Sequence, residues 1–301
     1  MSGTCTPEWI ALDWGTSNLR AFAMQGATVL ARAASDAGMS KLEPTGFEPA
    51  LRTLIDPWIH DGLGAIIACG MVGSRQGWAE APYRAVPCAP IADGLTQITM
   101  HTGQRVHIVS GLSQNAPPDV MRGEETQIAG FLSLNPQWDG VLCMPGTHTK
   151  WVHLSAGEVV SFQTFMTGEI FALLSEVSVL RHSVAPDTWD EAVFQDAVAD
   201  SLSRPERVAA KLFALRAGDL LSLTAPDNAR ATLSGYLIGM EIAATRPYWL
   251  GQNLAILGMN PQAHAYQTAL SAQGVPATMV DAERATLAGL TAAHRQLKAC
   301  T

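Results

Sequence analysis

Asp13-Trp14-Gly15-Thr16-Ser17-Asn18 places a carboxylate, a glycine and three short hydrogen-bonding side chains directly after an apolar run. That combination can hold a phosphate. Glycine lets backbone amides approach an anion closely, and Thr16, Ser17 and Asn18 donate to phosphate oxygens without adding charge. Asp13 would repel the same phosphate unless a divalent cation lay between them. Mg²⁺ suits such a place, being held by one or two carboxylates plus phosphates and waters. An ordinary polar β-turn has the same composition, so this loop alone leaves both readings open. A second loop, Pro145-Gly146-Thr147-His148-Thr149-Lys150, repeats the Gly-Thr pair after the apolar run Val141–Met144. Two such hairpins in separate halves of a chain can grip one polyphosphate from both sides. Lys150 is either a phosphate contact or an exposed strand lysine. His148 either points at phosphate or caps the turn.

Between the loops lies Met121-Arg122-Gly123-Glu124-Glu125-Thr126-Gln127. Paired glutamates at a helix start are favoured by the helix dipole, and one of them can also take the proton of an attacking hydroxyl. Glu124 is the first choice for that base and Glu125 the second. Arg122 can neutralise a transferring phosphate or bind a substrate carboxylate. Cys69-Gly70-Met71-Val72-Gly73-Ser74-Arg75-Gln76-Gly77-Trp78 follows an apolar run, and loops at strand ends are where ligands bind in α/β folds. Ser74 and Arg75 there are candidates for substrate, Arg75 as a bidentate partner for a carboxylate, with Trp14 a further candidate. Gly258-Met259-Asn260-Pro261 meets an adenine ring or is a plain αβ turn. Gly235, Gly239 and Ala243 share one helix face, which is expected to cross another helix closely, with Ala129 and Gly130 as partners.

The elements that must position these residues are short. Glu8–Leu12, Arg20–Met24 and Thr28–Ala33 read as a strand meander, with Gln25-Gly26-Ala27 as a turn. Phe47–His60 has helical spacing, Ala65–Cys69 and Val106–Val109 are strands, and Glu124–Leu134 is a helix. Val141–Met144, Lys150–Leu154 and Val159–Thr164 open the second half with the same order. A mostly helical stretch runs from Gly168 to about Thr245. Leu254–Leu257, Gln262–Gln273, Ala277–Val280 and Ala282–Leu297 follow as strand, helix, strand, helix. The expected architecture is α/β in two halves, 1–137 and 138–301, divided where Asn-Pro and Asp-Gly punctuate the chain.

Composition narrows the classes. The 301 residues suffice for two domains, and 48% hydrophobic with 15% charged residues supplies a large core. The formal net charge of -8, with no run of Lys or Arg, argues against a nucleic-acid partner. No stretch is apolar and long enough to span a membrane, and the N-terminus has no basic, apolar leader. The cysteines Cys5, Cys69, Cys88, Cys143 and Cys300 are odd in number with no C-x-x-C pair, which fits free thiols in a reducing cytoplasm. A P-loop, a G-x-G-x-x-G, a G-x-S-x-G elbow and an H-E-x-x-H motif are all absent.

Taken in order, Asp13–Arg20, Gly70–Trp78, Arg122–Gln127, Pro145–Trp151, Gly235–Glu241 and Gly258 resemble the sugar kinase/actin/heat-shock ATPase superfamily. More narrowly, D-W-G-T-S-N-L-R, C-G-M-V-G-S-R-Q-G-W, M-R-G-E-E-T-Q and P-G-T-H-T-K-W resemble the 2-dehydro-3-deoxygalactonokinase family. The resemblance implies two ribonuclease-H-like lobes of actin/hexokinase type, mixed sheets flanked by helices, with ATP in an interlobe cleft. It implies ATP- and Mg²⁺-dependent phosphorylation of the C6 hydroxyl of 2-dehydro-3-deoxy-D-galactonate. The N-terminal lobe would then bind sugar acid and carry the first phosphate loop; the C-terminal lobe would carry the second and the nucleotide. Asp13 would orient the metal and Gly15, Thr16, Ser17 and Asn18 the transferred phosphate. Gly146, Thr147, His148, Thr149, Lys150 and Gly258 would serve the nucleotide side. Many kinases of the superfamily use Asp as base where this chain has Glu124-Glu125, and a glutamate pair also resembles the exopolyphosphatase branch, which is the runner-up. A homodimer is left open.

Overall fold

The stretch Trp9–Trp14 alternates its side chains across a sheet that is covered on both faces. Ile10, Leu12 and Trp14 pack with Phe47, Leu51 and Ile55 on one side, while Trp9 and Ala11 pack with Ala129, Leu290 and Ala293 on the other. A strand buried on both faces reads as a continuous apolar run, and Asp13, on the Trp9/Ala11 face, is its one acidic interruption. The computed structural model describes residues 6–184, 188–223 and 228–299. Contacts divide it into two units: 1–138 with 155–161 and 281–301, and 139–154 with 162–280.

The first unit begins with β1 (Trp9–Trp14), β2 (Leu19–Gln25) and β3 (Thr28–Ser35), then α1 (Phe47–Ile55) and β4 (Ile66–Cys69). Five short strands follow: β5 (Tyr83–Ala85), β6 (Thr96–Thr99), β7 (Arg105–Ile108), β8 (Gly111–Asn115) and β9 (Pro118–Met121). Helix α2 spans Glu124–Leu134. The main sheet has the order β3-β2-β1-β4-β7-β6. Strands β1, β2 and β3 run antiparallel, and β4 and β7 add in parallel to β1. A separate small sheet, β5-β8-β9, had no counterpart among the expected elements. Its strands are 3 to 5 residues long and largely exposed, so they carry almost no hydrophobic pattern.

The second unit holds β10 (Gly140–Met144), β11 (Thr149–Ser155), β12 (Glu158–Phe165), α3 (Thr167–Glu176), α4 (Arg181–Val184) and α5 (Glu191–Ser203). It continues with α6 (Val208–Leu220), α7 (Ala229–Ala244), α8 (Arg246–Trp249), β13 (Leu254–Leu257), α9 (Pro261–Ser271) and β14 (Ala277–Val280). Its sheet has the order β12-β11-β10-β13-β14, again an antiparallel meander extended by two parallel strands. Both units therefore have the ribonuclease-H-like strand order anticipated from sequence.

The last helix, α10 (Ala282–Ala299), corrects the expected division at 137/138. It belongs to the first unit, where it lies on α2, β1 and β4. Its buried face (Ala285, Gly289, Leu290, Ala293) supplies the apolar cover that the Trp9/Ala11 side of the sheet requires. The small-residue crossing is also corrected. Gly130 of α2 meets α10: a Cβ on it would lie 1.8 Å from the Ala285 carbonyl oxygen. Gly235 and Gly239 of α7 meet Phe194, Ala197, Val198 and Ser201 of α5 instead. Among the described residues Cys69, Cys88 and Cys143 are free thiols; Cys5 and Cys300 lie outside them. No described helix is long and apolar enough to cross a membrane.

Candidate active site

In the first unit three chain segments converge through glycine. Gly70, at the end of β4, has φ +93°, and a Cβ on it would lie 2.7 Å from the Trp14 carbonyl oxygen. Gly123, ahead of α2, has φ +106° and abuts the Gly70 Cα. Both backbone shapes exclude a side chain in practice. Together they bring the end of β4 and the start of α2 against the strand end that leads into Gly15–Asn18. That loop closes on itself through Gly15 N–H to the Asn18 carbonyl, 3.0 Å, and is backed by Met39 and Ser40, whose amides donate to Gly15 O and Thr16 O. Thr16, Ser17 and Asn18 are exposed. Asp13 pairs across the sheet with Arg20, which also approaches Glu283 of α10 at 3.9 Å.

The paired glutamates occupy different environments. Glu124 is half-buried and accepts from the Arg122 amide at 3.0 Å. Glu125 is fully buried and accepts from the Gly123 amide at 2.6 Å and the Thr126 hydroxyl at 3.1 Å. Burial, and then the charge of Glu124 beside it, push Glu125 up from 4.5 to about 8. The Cys69 thiol is pushed well up by burial and further by Asp13 and Glu125, so the acidic groups share one side of the sheet and the thiol stays inert. A carboxyl near 8 is mostly protonated at neutral pH, and a protonated base cannot accept a proton; the arrangement therefore favours Glu124 for that role.

The raised value has a stability consequence. Between pH 4.5 and about 8 the folded state holds a proton on Glu125 that the unfolded state has released. Stability contributed by this group is therefore present at low pH and lost as pH rises toward 8. Glu125→Gln keeps the shape without the charge. It should be more stable than the parent protein at pH 9 by roughly 3–5 kcal/mol, and the gain should vanish near pH 5. Paired thermal melts across that range measure it; a pH-independent difference would mean Glu125 titrates normally.

In the second unit Gly146 and Thr147 line a pocket of about 640 Å³ together with Thr167, Gly168, Phe171 and Gln262. The loop is gripped by its neighbours. A Cβ on Gly168 would lie 2.3 Å from the Gly146 carbonyl oxygen. The Glu169 amide donates to Thr147 O at 2.9 Å, and Gln262 Nε2 donates to Gly146 O at 3.0 Å. Elsewhere on the pocket wall, the Arg230 guanidinium lies over the Phe171 ring at 5.1 Å.

With these geometries in place, comparison with known proteins is direct. A family model described as 2-keto-3-deoxy-galactonokinase matches residues 13–293. The chain belongs to this family. A Rhizobium meliloti (strain 1021) protein named as a 2-dehydro-3-deoxygalactonokinase is 41% identical, over 98% of this chain and 99% of its own. The 2-dehydro-3-deoxygalactonokinase of Escherichia coli (strain K12) is 34% identical, over 95% and 97%. A crystal structure from Sinorhizobium meliloti, described as a protein of the same kind, superposes with a TM-score of 0.87 at 39% identity, covering 96% of this chain and 99% of that one.

Within this galactonokinase-family chain, several expected site residues are buried or paired within the protein. Trp14 is fully buried, donates its indole N–H to Ala37 O at 2.8 Å and packs on Phe47 and Trp78; it is core, not a substrate contact. Thr149 is fully buried and bonded to the Tyr266 hydroxyl at 3.0 Å. Lys150 is 5% exposed, so it is neither a surface lysine nor, in this conformation, open to a phosphate. His148 pairs with Glu169 at 2.5 Å. Gly258 has φ +135° and forms the turn after β13; the pocket is lined instead by Pro261 and Gln262 beyond it.

Arg122 is buried as well. It is 7% exposed, donates to Ala81 O at 2.7 Å, and stacks on Tyr83 with its guanidinium 4.3 Å from the ring centre. A Cβ on Gly73 would lie 2.9 Å from its Nη1, so it is a strut beneath the Gly70–Gly77 loop. Ser74 in that loop is buried. Arg75 is exposed, 3.6 Å from Glu80, and is the cation of the loop still open to a ligand. Sequence reasoning missed Phe171, Arg230 and Gln262, which are single residues on helices with no motif around them.

Proposed function

We propose that this protein transfers the γ-phosphoryl group of ATP to the C6 hydroxyl of 2-dehydro-3-deoxy-D-galactonate, giving 2-dehydro-3-deoxy-6-phosphogalactonate and ADP. The observation that supports the reading is the packing of Gly70 on the Trp14 carbonyl and of Gly123 on Gly70, which draws the start of α2 toward the strand end that leads into the first loop, in a chain of this family. Phosphoryl transfer asks little covalent chemistry of a protein; positioning and charge stabilisation dominate. Glu124 accepts the hydroxyl proton. Gly15, Thr16, Ser17 and Asn18 hold the transferring phosphate. Gly146 and Thr147 take the β-phosphate side, and the pocket beyond them takes the nucleoside, with Phe171 as a face for the base. Arg75 reads the substrate carboxylate.

Asp13 fits an Mg²⁺ brought in with the nucleotide. It is a partly exposed carboxylate at the edge of the phosphate loop, paired with Arg20, and of the donor type that this ion shares with waters and phosphate oxygens. Bound there, the ion would neutralise phosphate charge that Asp13 otherwise repels. The free thiols are compatible with a cytoplasmic setting. The exopolyphosphatase reading is not favoured, because the relatives that align along nearly the whole chain carry sugar-acid kinase names.

Coupled ADP release, measured across a panel of aldonic and 2-keto-3-deoxy acids, tests the proposal. ADP should appear only with a 2-keto-3-deoxy acid present, and fastest with the galactonate-derived one. No turnover with any acid would defeat it, and phosphate release from polyphosphate alone would favour the runner-up.

A further inference from the structure

Glu241 lies in α7, 1% exposed, in a place where a carboxyl group is costly unless its oxygens are satisfied. Its partners are neutral donors from three other elements. Trp151 of β11 donates its indole N–H at 2.7 Å, Tyr266 of α9 donates its hydroxyl at 2.6 Å, and the Thr167 hydroxyl at the start of α3 donates as well. Since the Tyr266 proton goes to Glu241, the Tyr266 oxygen accepts from Thr149 at 3.0 Å. One buried acceptor thus ties together α7, β11, α9 and α3.

Those elements share one border. β11 starts at Thr149, immediately after Gly146–His148. α3 starts at Thr167, followed by Gly168 against the Gly146 carbonyl and Glu169 bonded to Thr147. α9 reaches Gly146 through Gln262. Apolar packing would secure the same helices at equal or lower cost, since replacing buried ionic groups with hydrophobic ones is often neutral or stabilising. What an apolar residue cannot do is fix the direction of three donors at once. We infer that Glu241 is the positioning residue of the second phosphate loop, acting through Thr167 and through Tyr266 to Thr149. This rests on the nucleotide reading of that loop given above. The group acts on the phosphates and not on the base, because its network borders Gly146–Thr147 while Phe171 and Arg230 lie outside it.

The test compares ADP and adenosine binding to the full chain by calorimetry, with thermal melts and steady-state kinetics alongside. Glu241→Gln keeps the volume but turns an amide N–H₂ toward the donors. ADP affinity should fall about tenfold or more, adenosine affinity should hold, and KM for ATP should rise with KM for the sugar acid unchanged. Tyr266→Phe should give a smaller loss of the same kind, since only the Thr149 arm is cut. If Glu241→Gln does not fold, Tyr266→Phe and Thr167→Val carry the same comparison. A lowered melting temperature with unchanged ADP affinity, or equal losses for ADP and adenosine, would reduce Glu241 to a structural residue. Failure of the unsubstituted protein to bind ADP at all would instead remove the nucleotide reading, and this inference with it.

Discussion

Glu124→Gln is expected to lower kcat by about 10²–10⁴-fold, the usual contribution of a positioned general base, while KM for ATP stays within about twofold of the parent value. The substitution keeps an oxygen for the Arg122 amide, so the start of α2 should be preserved and the loss should report chemistry. Its partner behaves differently. Glu125 is fully buried, with its oxygens engaged by Gly123 and Thr126, and is held protonated near neutrality. Glu125→Gln should therefore retain most of the rate at pH 7. Single-turnover and steady-state rates for both variants decide between them. Should Glu124→Gln keep near-full activity while Glu125→Gln loses it, and should kcat in the parent climb through about pH 8, the base is Glu125.

The largest loss of stability is expected at the crossing of α2 and α10. A Cβ on Gly130 would lie 1.8 Å from the Ala285 carbonyl oxygen, and one on Gly289 would lie 1.8 Å from the Thr126 carbonyl oxygen. Both obstacles are backbone, so no side chain can swing aside. Alanine improves helix propensity over glycine by about 1 kcal/mol, but overpacking costs roughly 1–3 kcal/mol and more where the backbone must move. The clash wins. Gly130→Ala and Gly289→Ala should each lower the melting temperature by roughly 6–12 °C, as a net loss near 3 kcal/mol implies for a unit of this size. Arg295→Ala, at an exposed site on α10, should change it little. Activity should fall along with stability in the glycine variants, because α2 carries Glu124.

The sequence was legible wherever a residue acts through its own neighbours. The apolar runs Glu8–Leu12 and Val141–Met144 announced two buried strands, since a short continuous apolar run bounded by turn residues is a local signal. The helix Glu124–Leu134 has the bounds anticipated for it, because its acidic start and apolar body are contiguous. The Gly-Thr pairs were recognisable for the same reason. Trp14, Arg122, Thr149 and Lys150 have the chemistry expected for ligands, and the fold buries all four. Side-chain type does not report whether a residue at a strand end or beside a loop is buried.

Only the tertiary structure decided what depends on partners far along the chain. Glu125 differs from Glu124 because the neighbours of α2 bury one carboxylate and leave the other half-exposed, and desolvation then separates their protonation. Helix α10 joins the first unit because the second face of the β1 sheet needs an apolar cover that the first 138 residues do not fully supply. Glu241 became visible only when β11, α3, α7 and α9 were brought to one point. Its donors lie 25 to 90 residues away, so no local pattern marks it, and its energetics exist only where folding has excluded water.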